Sequence, residues 1–196
     1  MGSGACYDRR MTIEAPPKRW TVAEMLELPD WEEYELVDGE LRERLQSMDA
    51  AEATAFVTGA LIAHLRAFPK GRIASEVQQY RVFHNPERIS KADISFFRKS
   101  RAPRGNVGIC EIAPDFVVEV ASPSNGLLDV WEKVELWLAA GVELVWVVLP
   151  GPRQVIVFER GEPARVLRAE DEIDGGKVLP EFHSLVADML PPPLAD

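Results

Sequence analysis

Apolar and polar residues recur along this chain with changing periods, and each period predicts an element. Thr21-Val22-Ala23-Glu24 has the Thr-x-x-Glu form of a capping box, opening a short helix to about Leu28 before Pro29-Asp30 ends it. Tyr34-Glu35-Leu36-Val37 and Glu40-Leu41-Arg42 are short alternating runs on either side of Asp38-Gly39, a strong hairpin signal. Phe56, Val57, Ala60, Leu61 and Leu65 then repeat at helical spacing, predicting a helix from Asp49 to Phe68 closed by Pro69-Lys70-Gly71. Beyond it the period falls to two, with strands expected over Val77 to Phe83 and Ala92 to Phe97. Asp115 to Val120 and Leu144 to Leu149 are nearly continuous apolar runs, the pattern of strands buried on both faces. Between them Leu128 to Ala140 reads as a helix stopped by Gly141. After Pro150-Gly151-Pro152 a strand returns at Val155 to Phe158. Weaker signals predict a strand near Ala164 to Leu167 and a short helix near Leu185 to Leu190.

The order is helix, hairpin, helix, strands, helix, strands. The strand, helix, strand unit from Phe116 to Leu149 implies a parallel pair. The fold class expected is therefore α/β, a mixed central sheet flanked by helices with an N-terminal hairpin. A chain of 196 residues suits one domain with a sizeable core. That domain is expected over residues 19–190, between a flexible tail at 1–18 and a proline-bearing tail at 191–196.

Composition is that of a globular protein. No apolar run is long enough for a membrane helix, and the N-terminus lacks a signal-peptide pattern. Two cysteines, Cys6 and Cys110, make neither a disulfide framework nor a metal motif, so a reducing, cytoplasmic setting is expected. The net charge of −10 argues against a nucleic-acid partner, whose phosphates favour basic surfaces. Charge is local, however, and part of the acidity is accounted for if carboxylates serve as metal ligands.

The chemistry centres on carboxylates in apolar surroundings. Glu119 interrupts Phe116-Val117-Val118-Glu119-Val120, where an unpaired carboxylate would cost several kcal/mol. It needs a cation, a metal or a proton, unless it turns to solvent at the strand end or pairs with a lysine. Asp93 starts the run Ile94-Ser95-Phe96-Phe97, where an aspartate alone more often serves a turn. If adjacent strands place Asp93 and Glu119 on one edge, a divalent cation between them relieves their repulsion. Lys133 lies on the following helix, where it either stabilises phosphate charge or forms a surface i,i+4 pair with Asp129. Glu52 either adds a carboxylate or closes a capping box begun by Asp49. Glu35 and Glu40 read most simply as hairpin surface, with a groove as the alternative. His64, His84 and His183 show no metal spacing, and Ser122 and Ser124 suit a loop or a cap.

Several segments, taken in order, resemble one family. Tyr34-Glu35-Leu36-Val37-Asp38-Gly39-Glu40-Leu41 resembles the opening hairpin of the Uma-two family of restriction-endonuclease-like proteins. Ala92-Asp93-Ile94-Ser95-Phe96 resembles its Pro-Asp strand. Pro114 to Ser124 resembles its glutamate strand and following loop. Asp129, Lys133, Trp137 and Gly141-Val142 resemble its next helix, and Val145 to Val148 with Pro150 its next strand. The resemblance covers about residues 20–190 and implies the PD-(D/E)XK nuclease superfamily. Carried over, Asp93 and Glu119 hold magnesium, for which manganese can substitute, and Lys133 assists. The strand lysine common in that superfamily is replaced by Ala121, and Lys133 takes its part. The proline before the aspartate is Ala92. The histidine often found near the start of the long helix is absent, and Glu52 is the candidate accessory residue there. The function implied is metal-dependent hydrolysis of DNA by a homodimer. The competing reading is an inactive nuclease-fold module that binds nucleic acid or protein. An unrelated α/β enzyme finds no support, since neither a Walker A nor a dinucleotide motif is present.

Overall fold

In a computed structural model, residues 18–43, 46–75, 78–105, 108–122 and 127–193 are described. The expectations for the two tails at 1–17 and 194–196, for Cys6, Val77, and for Pro123-Ser124-Asn125 lie outside those residues.

The first helix, α1 (Val22–Leu26), is opened by the expected box: the Thr21 hydroxyl accepts from the Glu24 N–H and the Glu24 carboxylate accepts from the Thr21 N–H. The hairpin follows as β1 (Tyr34–Val37) and β2 (Glu40–Glu43). Its two central residues have positive φ, 50° at Asp38 and 81° at Gly39, as the tightest hairpin turns require. Helix α2 (Met48–Ala67) comes next, then β3 (Gly71–Ser75), β4 (Gln79–His84), β5 (Glu87–Lys91) and β6 (Ile94–Arg98). Strand β7 (Phe116–Val120), helix α3 (Leu127–Ala139) and strand β8 (Leu144–Leu149) form the expected unit, with β7 and β8 parallel. Strands β9 (Gln154–Glu159), β10 (Arg165–Arg168), β11 (Glu172–Gly175) and β12 (Leu179–Leu185) close the chain. The weak helix expected at Leu185 to Leu190 is a 3-10 turn, Val186–Met189.

Two sheets matter for the site. One has six strands in the order β10-β9-β8-β7-β6-β3, mixed because only β7 and β8 run parallel. The other has four antiparallel strands in the order β2-β1-β5-β4. The hairpin is thus half of a second sheet rather than an appendage. Strands β3 and β5 carry no clear apolar alternation, which is why the sequence did not disclose them. In β3, Gly71 fits because a side chain there would collide with the Phe96 ring, 2.2 Å from an added Cβ.

The six-stranded sheet is covered on both faces, which is why β7 and β8 read as continuous apolar runs. On one face Ala50, Ala53, Val57 and Leu61 of α2 pack over Val118, Val120, Trp146 and Val148. On the other Val134 and Trp137 of α3 pack over Val117, Val145 and Val147. A smaller cluster, Val22, Met25, Leu36 and Ile89, seats α1 on the four-stranded sheet. Among the described residues no helix is long and apolar enough to cross a membrane.

Candidate active site

The two sheets meet at Ala92-Asp93, the step between β5 and β6. There the chain leaves the four-stranded sheet and starts along the edge of β7. Antiparallel register pairs Ile94 with Val118, so one residue further Asp93 comes opposite Glu119. Asp93 is buried, 1% exposed, and its side chain carries on the ladder before the backbone does: Oδ2 accepts the Val120 N–H at 2.7 Å. Its Oδ1 accepts from the Gln46 amide at 3.2 Å, just ahead of α2. That amide also lies 3.5 Å from the Thr54 hydroxyl.

Glu119 is buried in the middle of the sheet, as its neighbours in sequence demand. Its Oε1 accepts the Trp137 indole N–H at 2.7 Å, and its Oε2 lies 3.5 Å from the Lys133 ammonium. One turn of helix separates Lys133 from Trp137, so both side chains reach the same face. Gly141, with φ 107°, ends α3 in a Schellman arrangement: Val142 N–H donates to the Trp137 carbonyl at 3.0 Å and Gly141 N–H to Leu138 at 3.2 Å. Trp137 also meets the Tyr80 ring edge-on, centroids 5.8 Å apart. Burial holds the Tyr80 phenol well above its usual range, so it remains protonated and hydrogen-bonds the Ser95 hydroxyl.

Lys133 donates to Glu35 Oε1 at 3.1 Å and to the Lys91 carbonyl at 3.3 Å. Its ammonium thus lies between Glu35 and Glu119. The surface reading fails at Glu35, while Glu40 is exposed as expected. Glu35 is 6% exposed and also accepts from the Ser90 hydroxyl and the Lys91 N–H, at 3.0 and 2.6 Å. No local signal in a four-residue strand reveals this, since both of its faces are covered by segments distant in sequence. Lys91 is buried as well, its ammonium donating to the Glu32 carbonyl. Trp137 and Gln46 likewise escaped notice as partners, because an indole or an amide becomes a carboxylate's donor only after packing.

The structure therefore brings Asp93, Glu119 and Lys133 together from the β5–β6 step, β7 and α3. It does not bring in Glu52. That residue is exposed on α2, and among the described residues no hydrogen bond or ion pair joins it to the cluster. The capping-box account of Glu52 fails too, because the helix cap is Ser47, whose hydroxyl accepts from the Ala50 N–H at 3.2 Å. The three histidines lie elsewhere: His64 stacks on Phe68, while His84 and His183 face Glu111 and Glu172.

Among the described residues no three His, Cys, Asp or Glu side chains converge closely enough to cage a metal alone. Two buried carboxylates at facing positions of adjacent strands nonetheless suit a hard divalent cation that completes its shell with water and phosphate oxygens. Each carboxylate oxygen has two lone pairs, so one hydrogen bond does not preclude a metal bond.

A sequence profile described as Uma2, "Putative restriction endonuclease", matches residues 22–189, nearly the whole patterned region. The chain belongs to the Uma2 family. Among solved structures, this Uma2 chain is similar to one described as a putative nuclease belonging to DUF820 from Anabaena variabilis ATCC 29413. The TM-score is 0.73 at 20% identity, covering 85% of this chain and 95% of the other. At that identity the likeness is one of fold, and the restriction-endonuclease-like α/β architecture expected from the sequence is the one observed. Among curated proteins none matches the chain.

Proposed function

We propose that this Uma2 protein is a metal-dependent endonuclease that hydrolyses DNA phosphodiester bonds. The observation that carries the reading is the convergence of the buried Asp93 and Glu119 with the half-buried Lys133. Asp93 and Glu119 would hold magnesium, or manganese in its place, which when bound polarises the phosphate and lowers the pKa of a coordinated water. Lys133 offers a fixed ammonium to the phosphate oxygens, whose negative charge grows as the bond breaks. The Trp137 indole N–H and the Val120 N–H orient the two carboxylates, donating to Glu119 and Asp93 respectively. A net charge of −10 disfavours DNA at long range, and a bound cation offsets this where the phosphate docks. A homodimer, which presents two sites to a duplex, belongs to the same proposal and is read by light scattering.

The test is cleavage of supercoiled and linear DNA with magnesium, manganese or EDTA. Wild type is compared with Asp93→Asn, which is near-isosteric, and Lys133→Gln, which removes the charge and keeps a polar end. Metal-dependent cutting lost in both variants is the expected result. A folded wild type that cuts no substrate would favour the inactive nucleic-acid or protein-binding module instead. Cutting that survives Asp93→Asn would place the chemistry elsewhere.

A further inference from the structure

We infer that Glu35 is a positioning residue of this site: the N-terminal hairpin carries its carboxylate inward to hold the Lys133 ammonium beside Glu119. The kinetic consequence rests on the nuclease reading above. The contacts themselves do not.

A strand with one solvated face should bury alternate residues only. In β1, consecutive residues are buried, Leu36 against α1 and Glu35 against β5 and α3. Burying a carboxylate is unfavourable unless it is well bonded. Glu35 Oε1 has three donors: Ser90 hydroxyl, Lys91 N–H and Lys133 ammonium. Two of these belong to β5, the strand that pairs with β1 through Leu36 and Ile89. The sheet therefore fixes the carboxylate independently of the lysine. Lys133, by contrast, is a point charge on a flexible four-carbon stem. Its ammonium has three hydrogens, and among the described residues it meets Glu35, the Lys91 carbonyl and Glu119. Two of the three come from the four-stranded sheet. Glu35 is the charged one of that pair, so it decides whether the ammonium stays shared between the sheets or follows Glu119 alone. Glu40, on the partner strand of the same hairpin, is exposed and provides a control.

The experiment compares Glu35→Gln, Glu40→Gln, Lys133→Gln and the Glu35→Gln/Lys133→Gln double variant. A glutamine oxygen still accepts from Ser90 and Lys91 N–H, so the fold is kept while the charge is removed. Glu35→Asp, which keeps the charge but withdraws it, serves if Glu35→Gln does not fold. DNA cleavage is expected to lose roughly 10–100-fold in kcat in Glu35→Gln, the size seen for residues that orient a site's ligands, with KM little changed. The double variant should be no slower than Lys133→Gln, because the two residues act as a unit. Glu40→Gln should cut like wild type.

A second readout needs no activity. Reductive methylation followed by mass spectrometry should label Lys133 several-fold faster in Glu35→Gln, with Lys99 unchanged as the internal reference. Independent, multiplicative losses in the double variant would overturn the inference, as would unchanged Lys133 labelling. If wild type does not cut DNA, the nuclease reading fails, and the labelling arm still decides whether Glu35 holds Lys133.

Discussion

The paired strands β6 and β7 carry a charge cluster at each end, and the two clusters are built differently. At one end Asp115, fully buried, accepts from the Arg98 backbone N–H and from the Arg98 and Arg101 guanidinium groups at 2.9, 2.8 and 2.7 Å. Arg98 also bonds both oxygens of Glu143, at 2.6 and 2.8 Å. Two guanidinium groups thus meet two carboxylates, and charge balances. At the other end lie three buried carboxylates, Glu119 and Glu35 against the Lys133 ammonium and Asp93 facing Glu119 across the strand pair, while the Lys91 ammonium turns to a backbone carbonyl. Among the described residues, carboxylates outnumber ammonium groups there even if Lys91 is counted. A balanced cluster is complete as folded and fastens the strand pair to its surroundings. One with surplus negative charge in a low-dielectric setting is better suited to receiving a cation.

The largest effect expected is at the balanced end. Arg98→Ala would strand Asp115 with part of its charge unmet and cost about 3–5 kcal/mol of stability, measured by urea unfolding. Cleavage per folded molecule should stay near that of wild type. A loss of cutting at full folding would break the contrast between the two ends. The mirror experiment is Asp93→Asn, expected to cost ~10²–10³-fold in rate, the scale of losing one transition-state electrostatic contact. Magnesium should also raise the melting temperature of wild type more than that of Asp93→Asn.

A smaller effect appears in acid. The Arg98 guanidinium, through its hydrogen bonds, holds the Glu143 carboxyl below the usual carboxylate range. Its folded value is depressed, so its contribution to stability is complete above the ordinary value of about 4.5 and fades as pH falls through the folded value. Unfolding curves from pH 7 to 3 should show this loss in wild type and a shallower one in Arg98→Gln. The smallest effect concerns the approach to Asp93 from α2. Ser47→Ala removes the helix cap beside Gln46 and should cost about 1 kcal/mol, with any fall in cutting far below that of Asp93→Asn.

Much was legible in the sequence because it is written locally. The capping box at Thr21, the Asp38-Gly39 turn, the α2 spacing and the Gly141 stop each depend on a few consecutive residues, and each element formed where its signal lay. The apolar runs of β7 and β8 identified strands covered on both faces, and Glu119 stood out because its neighbours require burial. The ordered likeness to a known family singled out Asp93 and Lys133, which spacing alone left open. Tertiary structure decided the rest. Glu35 is a surface residue by hairpin logic, and it is buried because β5 and α3, 55 and 98 positions away, close over it. Strands β3 and β5 formed without an apolar alternation because their neighbours in the sheet supply the partners. Lys133 faced inward rather than pairing only along its own helix. The physical reason is common to all three: period and caps are local properties, whereas the donors around a buried charge come from whichever segments the fold packs against it.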